Sequence, residues 1–286
     1  IMELLKPHAR DIGFPVRRLL PAAGRQRIGP FIFFDHMGPS AFEAGGRNGD
    51  VRPHPHIGLA TVTYLFSGAM DHRDSLGTVQ RIEPGAINLM TAGHGIVHSE
   101  RVPEDVRLDG TEVEGIQTWL ALPEDKENGE PAFSHHPKDS LPLYQSRGVR
   151  ARVLIGGAFG VQSPVPTASP ALYVDIELDA GGSLPLPPSD QERAVYVVSG
   201  SPKAGDESLP LHHVMTLDGQ RSWLLEALEE PARLMLFGGA ALPGRRYINW
   251  NFVSSDKERI EKARDDWRHQ RFPGVPGETE WIPLPE

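Results

Sequence analysis

The sequence contains no cysteine, no cluster of basic residues and no long apolar run. Without cysteine the chain can form no disulfide, no thiolate metal site and no thiol nucleophile, so histidine and carboxylate must hold any metal. Lys and Arg number 29 against 38 Asp and Glu, a formal net charge of -9. Because gripping a phosphate backbone requires clustered cations, we expect no direct nucleic-acid binding.

The first residues show neither a basic segment followed by an apolar one nor a stretch of about 18 apolar residues. We therefore expect a soluble, cytoplasmic protein that does not bind a membrane. The chain has 286 residues, enough for a sizeable core and for roughly two domains.

Glycine and proline are abundant, with 30 Gly and 27 Pro in the chain. This density interrupts the chain too often for long helices and favours short strands joined by turns. Short runs rich in β-branched and aromatic residues recur from 30–34 to 233–237. Their spacing predicts an all-β fold of the sandwich or barrel type.

One helix is predicted near the end of the chain. Ser255 precedes Glu258 at the spacing of a capping box. The apolar residues that follow recur on one helical face, and they are Ile260, Ala263 and Trp267. The pattern predicts a short helix that buries this face and exposes a charged one.

Two domains are predicted from a linker and a repeat. The segment 133–142, which includes His135 and His136, is polar, rich in proline and without periodicity, as is typical of a linker. The segments 60–68 and 193–200 both resemble a strand ending in Ser-Gly, followed by a polar turn and a second strand. Two copies of one β-domain account for this repeat, with an N-terminal domain over 1–133 and a C-terminal domain over 134–286.

Two pairs of potential metal ligands have a spacing of two residues, His54 with His56 and His98 with Glu100. In an extended chain, residues i and i+2 point to the same face. If the two segments are neighbours in a β-barrel, three imidazoles and one carboxylate converge on one point. Such a ligand set suits Fe(II), Mn, Co, Ni, Cu or Zn, and ligand chemistry alone does not choose among them.

The surroundings of these pairs resemble the two motifs of the cupin family. The first motif, G-x5-HxH-x3,4-E-x6-G, is matched in spacing from His54 to Gly68, with Thr61 in place of its Glu. The second, P-x-G-x-x-H, is matched with Gly93 in place of its Pro. Glu100, two residues beyond the last histidine, would restore the carboxylate missing from the first motif.

A carboxylate displaced in this way to HxE is typical of the pirin family, which the sequence resembles along nearly its whole length. The segments that carry the resemblance are 30–36 (PFIFFDH), 53–58 (PHPHIG), 84–85 (PG), 90–93 (MTAG), 95–100 (GIVHSE), 117–119 (QTW) and 271–278 in the tail. The resemblance implies two cupin-type (jelly-roll) β-barrel domains in tandem with a short C-terminal helix. Carried over residue by residue, it implies metal ligands at His54, His56, His98 and Glu100.

The resemblance also implies an activity, because pirins resemble quercetinases. The implied enzyme is a dioxygenase, with Fe(II) as the preferred metal, that opens the heterocycle of flavonols such as quercetin with O2 and releases CO. Its substrates would be a small aromatic molecule and O2. Glu100 would take the proton of the flavonol 3-hydroxyl as the catalytic base.

Two other functions are compatible with the same ligands. Pirins are also regulatory proteins, so the alternative is an iron-dependent redox sensor that binds a transcription factor or a metabolic enzyme. A third possibility is a metal-dependent fold without activity, although four ligands leave about two positions open on a six-coordinate metal, as in catalytic sites. The enzyme would need a cavity for a planar, multi-ring substrate, whereas the sensor would need access only for a small ligand.

The second copy departs from the first. Counting back from Gly200 places Leu186, Pro188 and Arg193 where the first copy has its two ligand histidines and Thr61. None of the three is an ordinary metal ligand, so the C-terminal domain is predicted to hold no metal. The pair His212 and His213 is expected to be solvated, since neighbouring residues alternate between the faces of a strand.

Other residues of the first copy are candidates for the surroundings of the metal. His94, His36 and Gln117 are candidates for contacts with the ligands or for the pocket wall. Trp119 is interpreted as a core residue. His72 is predicted to lie solvated in a hairpin loop.

Overall fold

The chain folds mainly into β-strands in a computed structural model that describes residues 2–286. In the first half, the strands are β1 (Leu4–Leu5), β2 (His8–Asp11), β3 (Pro15–Leu20), β4 (Phe31–Ser40), β5 (Val51–His56), β6 (Leu59–Ser67), β7 (Met70–Asp74), β8 (Val79–Ile82), β9 (Ile87–Thr91), β10 (Ile96–Arg101), β11 (Val113–Ala121), β12 (Ala132–His136) and β13 (Leu143–Ser146). In the second half they are β14 (Val149–Ile155), β15 (Gly157–Ala158), β16 (Val161–Gln162), β17 (Ala171–Leu178), β18 (Ser183–Leu186), β19 (Glu192–Ser199), β20 (Lys203–Ala204), β21 (Glu207–Ser208), β22 (Val214–Leu217), β23 (Trp223–Glu226), β24 (Ala232–Gly239), β25 (Tyr247–Asn249) and β26 (Phe252–Ser254). The prediction of an all-β fold is confirmed.

Helices are few and short. The helix α1 (Glu104–Asp109) was not predicted, whereas α2 (Lys257–Arg268) is the helix expected near the end, and a 3-10 turn covers Lys138–Ser140. Neither α-helix of the described chain has the length and apolar character that crossing a membrane requires.

The chain divides into two compact units. The site unit comprises 9–16, 34–138 and 243–286, and the companion unit comprises 2–8, 17–33 and 139–242. The units therefore group residues 243–286 with the strands that carry the ligand pairs, whereas the predicted ranges 1–133 and 134–286 divide the chain once. As a division into two copies of one domain, those ranges stay a prediction.

Two sheets provide the strands of the ligand pairs and their surroundings. One has the strand order β5-β10-β7-β8, and the other has the order β12-β9-β6-β11-β4-β3-β2. β5 is an edge strand, a position that tolerates the missing N–H groups of Pro53 and Pro55. The C-terminal tail covers this edge, since the Ile282 N–H donates to the Pro53 carbonyl at 2.9 Å.

Helix α2 packs behind the ligand strands. Its predicted apolar face is confirmed, because the buried residues of the helix are Ile260, Ala263 and Trp267. This face shares a hydrophobic cluster with Ile57 and Val97, which adjoin His56 and His98 in the chain. Because side chains alternate along a strand, burying Val97 on the helix side directs His98 to the opposite face.

The start of α2 differs from the prediction by one residue. The N-cap is Asp256, whose Oδ1 accepts from the Glu258 N–H at 2.9 Å. Ser255 instead donates its hydroxyl to Glu127 Oε1 at 2.5 Å. The predicted Ser255 cap is therefore wrong, because a nearby carboxylate binds the serine and the aspartate one residue later is an equally good cap.

The prediction of a linker over 133–142 is wrong at its start. β12 (Ala132–His136) pairs with β9 through five residues, from Ala132 opposite Thr91 to His136 opposite Ile87. His135 Nδ1 lies 2.6 Å from Asn88 Oδ1. β12 is an edge strand without fully buried residues, so its composition resembles that of a linker.

The companion unit repeats the strand plan of the site unit. Its sheets have the orders β1-β22-β19-β24-β17-β14-β13 and β18-β23-β20-β21. β6 and β19 both end in serine, and the glycines that follow, Gly68 and Gly200, have φ of 74° and 81°. These values are favourable only for glycine, which explains the repeated Ser-Gly of the sequence.

Candidate metal centre

Three histidines converge from two adjacent strands. His54 and His56 lie on β5 and His98 on β10, and the antiparallel register places His98 directly opposite His54. The ring centroids are 4.4 Å apart for His54 and His98, and 5.1 Å apart for each of the other two pairs. One nitrogen from each ring lies within 4.8 Å of the other two. The three histidines can therefore hold one metal ion.

The hydrogen bonds of the rings leave the metal-facing nitrogens free. His54 Nδ1 lies 2.7 Å from the Arg52 carbonyl oxygen, and His56 Nδ1 lies 3.1 Å from that of Asn251. Since a carbonyl oxygen only accepts, each Nδ1 carries the proton and each Nε2 keeps its lone pair. Orientation of a ligand imidazole by a hydrogen bond from its other nitrogen is usual in metal sites.

His98 provides the clearest fit to a metal. Its Nε2 is buried and has no hydrogen-bond partner within residues 2–286, while its Nδ1 lies 3.4 Å from His72 Nδ1. A buried polar atom without a partner is costly and requires an explanation. A metal ion bound by the three imidazoles would satisfy this nitrogen.

The electrostatic environment keeps the imidazoles neutral. Burial lowers the pKa of His54 to about 4, and it lowers the pKa of His56 and of His98 well below the usual value. Repulsion from His54 lowers the pKa of His56 and of His98 further. Neutral imidazole is the form that binds a metal.

Glu100 follows on the same strand as His98. Gln117 Nε2 donates to Glu100 Oε1 at 2.8 Å, and the Thr63 hydroxyl donates to the same oxygen at 3.4 Å. Gln117 and Thr63 lie opposite each other on β11 and β6. Burial raises the pKa of Glu100, and these hydrogen bonds act in the opposite direction. The cluster of mutually close ligand atoms contains the three histidines, so Glu100 as a fourth ligand stays a prediction.

The other candidate residues have different surroundings. His36 is buried and its Nε2 lies 2.8 Å from Glu114 Oε1. The His94 side chain is half exposed, with its Nε2 3.4 Å from Glu130 Oε2. Trp119 is buried, as predicted, and its ring meets that of His56 edge to face at 5.2 Å.

The prediction for His72 is wrong. His72 lies on β7 and is buried, with its Nε2 2.7 Å from Asp74 Oδ2. Sequence reasoning also missed Thr63 and Asp74. The signal for both was a spacing of two residues, which places two side chains on the same face of a strand. Thr63 follows Thr61, and Asp74 follows His72, at the spacing of His54 and His56.

In the companion unit, the position of the ligand histidines is apolar. Leu184 and Leu186 lie on the edge strand β18 and belong to a hydrophobic cluster. Leu186 ends β18 as His56 ends β5. The predicted match of Leu186 to His54 is therefore displaced by two residues, because the connection from the edge strand to the Ser-Gly turn is longer. His212 and His213 are both partly exposed.

Comparison with known proteins places the chain in a family. Two family models match, "Pirin" over residues 13–120 and "Pirin C-terminal cupin domain" over residues 173–273. A pirin-like protein of Caulobacter vibrioides is 44% identical over 282 residues, which cover 97% of this chain and 96% of that protein. Human pirin is 30% identical over 276 residues, which cover 94% and 91%.

A solved structure extends the comparison to the whole fold. The crystal structure of a quercetin 2,3-dioxygenase from Acinetobacter baumannii matches with a TM-score of 0.91 and 33% identity, covering 100% of this chain and 95% of that one. The prediction of two cupin-type domains with a short C-terminal helix is confirmed. The strand plan occurs twice in the chain, and one copy carries the histidine cluster. On the family-model matches and the identity to its relatives, the chain belongs to the pirin family.

Proposed function

We propose that this protein is a metal-dependent dioxygenase of the quercetinase type, with Fe(II) as its metal. Its substrates would be O2 and a flavonol such as quercetin, whose heterocycle it opens with release of CO. His54, His56 and His98 would be the nitrogen ligands and Glu100 both a ligand and the catalytic base. The observation that carries the proposal is the buried His98 Nε2, which has no partner within residues 2–286, beside two imidazoles whose Nε2 atoms keep their lone pairs.

The similarity to a solved quercetin 2,3-dioxygenase supports the substrate class. That protein shares 33% identity with this one over the whole chain. The residues around the cluster support a role beyond structure, because a buried carboxylate lies beside the histidines and is held by neutral donors rather than by a cation. A purely structural metal site has no need of such a carboxylate, since it would be closed by its ligands.

Different residues of the chain have different roles in the proposed reaction. Bound Fe(II) would supply Lewis acidity toward a chelating hydroxyl and a position for O2. Gln117 and Thr63 fix the Glu100 carboxylate by bonds that both end on Oε1. Oε2 is then the oxygen that accepts the proton of the flavonol 3-hydroxyl. Trp119 packs edge to face against His56 and covers this ligand from one side.

Oxygen uptake tests the proposal directly. The protein is reconstituted with Fe(II) without oxygen, its iron content is measured, and quercetin is added in air-saturated buffer. We expect O2 consumption and CO release in equal amounts to quercetin loss, with His56→Ala as the blank. Absence of uptake by protein that holds iron would contradict the proposal and favour the redox-sensing alternative.

Glu100→Gln tests the assignment of the base. The amide preserves the shape of the side chain but cannot take a proton at the same position. We expect the variant to retain most of its iron on the three histidines and to lose turnover by about 100-fold or more, as is typical for removal of a general base. Full turnover by iron-loaded Glu100→Gln would contradict this role.

A further inference from the structure

A buried histidine and aspartate lie directly behind one of the three clustered histidines. His72 is 5% exposed and Asp74 is 0% exposed, and both belong to β7, which pairs with β10 so that Asp74 is opposite His98. His72 Nε2 lies 2.7 Å from Asp74 Oδ2, and His72 Nδ1 lies 3.4 Å from His98 Nδ1. The three side chains thus form a continuous chain of hydrogen bonds that ends at the metal centre.

Asp74 is held as a carboxylate. Its Oδ1 accepts from the backbone N–H groups of Leu76 at 2.9 Å and Thr78 at 3.1 Å, while Oδ2 faces His72. Two backbone N–H donors on one oxygen stabilise the ionised form of a carboxyl group. An ionised carboxylate only accepts, so His72 Nε2 must be the donor.

The direction of the first bond decides the rest of the chain. The tautomer of His72 that has its single proton on Nε2 has a bare Nδ1, which can only accept. The facing His98 Nδ1 then carries the proton and donates it. His98 Nε2, the atom without a partner, is left with its lone pair toward the other two imidazoles.

The reverse order would block the site. If His72 donated from Nδ1, His98 would have to accept on Nδ1 and would carry its own proton on Nε2. A protonated Nε2 has no lone pair for a metal. The plane of the His72 ring is also fixed, because the Phe133 ring stacks on it at 4.4 Å with an angle of 22°. The proton order therefore depends on Asp74 and not on rotation of the ring.

We propose that Asp74 and His72 are positioning residues, which set the tautomer of His98 so that its Nε2 can bind the metal. This inference rests on the proposed metal centre but not on the proposed reaction. It distinguishes His98 from its two neighbours, since backbone carbonyls fix the tautomers of His54 and His56. Substitution of His72 or Asp74 should therefore change the tautomer of His98 and leave the tautomers of His54 and His56 unchanged.

The test compares three variants by their affinity for Co(II), measured in competition with a chromophoric chelator. His72→Leu removes the acceptor for His98, and Asp74→Asn permits the carboxamide to donate to His72 and reverse the proton order. We expect each to weaken Co(II) binding by about 10- to 100-fold, as is typical when a group that orients a ligand is lost. His72→Asn should stay within about threefold of wild type, because its amide oxygen takes the place of the accepting Nδ1.

Proton NMR of the Co(II) protein provides a measurement that loss of packing alone would not change. Each ligand imidazole should contribute one strongly shifted, exchangeable N–H signal. In wild type and in His72→Asn we expect three signals that exchange slowly with D2O. In Asp74→Asn we expect the signal of His98 alone to disappear or to exchange rapidly.

The outcomes separate this inference from the proposed function. Wild-type Co(II) affinity and three protected signals in Asp74→Asn would overturn the positioning role while the metal centre stands. Failure of wild-type protein to bind Co(II) would overturn the metal centre and this role with it. If His72→Leu does not fold, the comparison of Asp74→Asn and His72→Asn with wild type decides the question.

Discussion

In the four-stranded sheet of the site unit, the edge strand β5 carries His54 and His56, and its neighbour β10 carries His98. In the corresponding sheet of the companion unit, the edge strand β18 carries Leu184 and Leu186, and its neighbour β23 carries Leu225. The register agrees as well, because His98 lies opposite His54 and Leu225 lies opposite Leu184. Three leucines therefore occupy the places of the three clustered histidines.

The difference between histidines and leucines at these positions shows which interactions stabilise each unit. In the companion unit the three leucines belong to one large cluster that also holds Trp223 and Val195. Burial of each leucine contributes about 1.5–3 kcal/mol. In the site unit the same positions are polar, and apolar burial occurs instead in separate clusters on other faces of the strands, such as the one under α2. One strand plan thus serves either as a packed core or as a ligand site.

The largest effect is expected for His98→Leu, which gives the site unit the residue of the companion unit. The change removes one of three nitrogen ligands. Loss of a group that only orients a ligand weakens metal binding by up to about 100-fold, so we expect loss of the ligand itself to weaken it more. The free energy of unfolding of the metal-free protein should stay within about 1 kcal/mol of wild type, because apolar burial offsets the lost hydrogen bond to His72. Calorimetric titration with Co(II) and urea unfolding measure the two quantities. Retained affinity would contradict the role of His98, and His213→Ala serves as the control.

The next effect is expected for Leu225→Ala in the companion unit. The substitution creates a cavity in the hydrophobic cluster and should lower the free energy of unfolding by about 2–5 kcal/mol. Metal affinity should not change, because this residue is not part of the site unit. The neighbouring Leu224 is 37% exposed, so Leu224→Ala should cost about 0.5 kcal/mol or less in the same urea titration. Equal losses in the two variants would contradict the comparison of the two interiors.

The third effect concerns the short turn between β5 and β6. Gly58 has a φ of 71°, and a Cβ there would clash with the Val253 carbonyl oxygen. We expect Gly58→Ala to cost about 2–4 kcal/mol of unfolding free energy, because backbone strain and displacement of β26 add together. Gly77 has a φ of 87° with no atom near its Cβ position, so Gly77→Ala should cost only the strain, about 1 kcal/mol. Thermal unfolding of both variants gives the difference, and equal costs would show that the close approach to Val253 relaxes freely.

Sequence predicts this architecture well where a local spacing decides which face of a strand a side chain occupies. The spacing of His54 and His56, and that of His98 and Glu100, predicted that each pair shares a face. The meeting of the two pairs depended on β5 and β10 being neighbours, which no local pattern contains. Gln117, which donates to Glu100, was among the predicted pocket residues because it lies on a predicted strand two residues before Trp119.

Sequence predicts poorly where polar residues satisfy one another inside the fold. The run from Asp71 to Asp74 consists entirely of charged and polar residues and therefore resembles a loop. It forms a strand because β10 and β8 pair with it on both sides. Burial of His72 is possible only because Asp74 is its partner, and two buried polar groups that bind each other avoid the cost that either would incur alone. Such pairing is a property of the tertiary structure.

The smallest effect is expected at the tail, where the site unit ties its C-terminal segment to β10. Arg101 binds the Glu278 carboxylate with two nitrogens, at 3.0 and 2.6 Å, and the Ser99 hydroxyl donates to the same carboxylate at 2.6 Å. The hydrogen bond from Arg101 is the main cause of a lowered pKa of Glu278, which burial opposes and Ser99 supports.

The pKa of Glu278 is lower in the folded chain than in the unfolded chain. The ionised Glu278 carboxylate therefore contributes its full stabilisation above the unfolded-state pKa, and this stabilisation is lost as the pH falls through the folded-state pKa. Solvent screens this pair, so the contribution is about 1 kcal/mol or less. We expect Glu278→Gln to be less stable than wild type by this amount at pH 7, with a difference that shrinks as the pH falls below the ordinary pKa of glutamate, in urea titrations across this range. Glu177→Gln alters an exposed pair with Arg150 in the companion unit and should show a smaller dependence. Equal pH dependence of the two variants would mean that the tail is held by apolar contacts, such as those of Phe272 and Val275 with the cluster under α2, and not by Glu278.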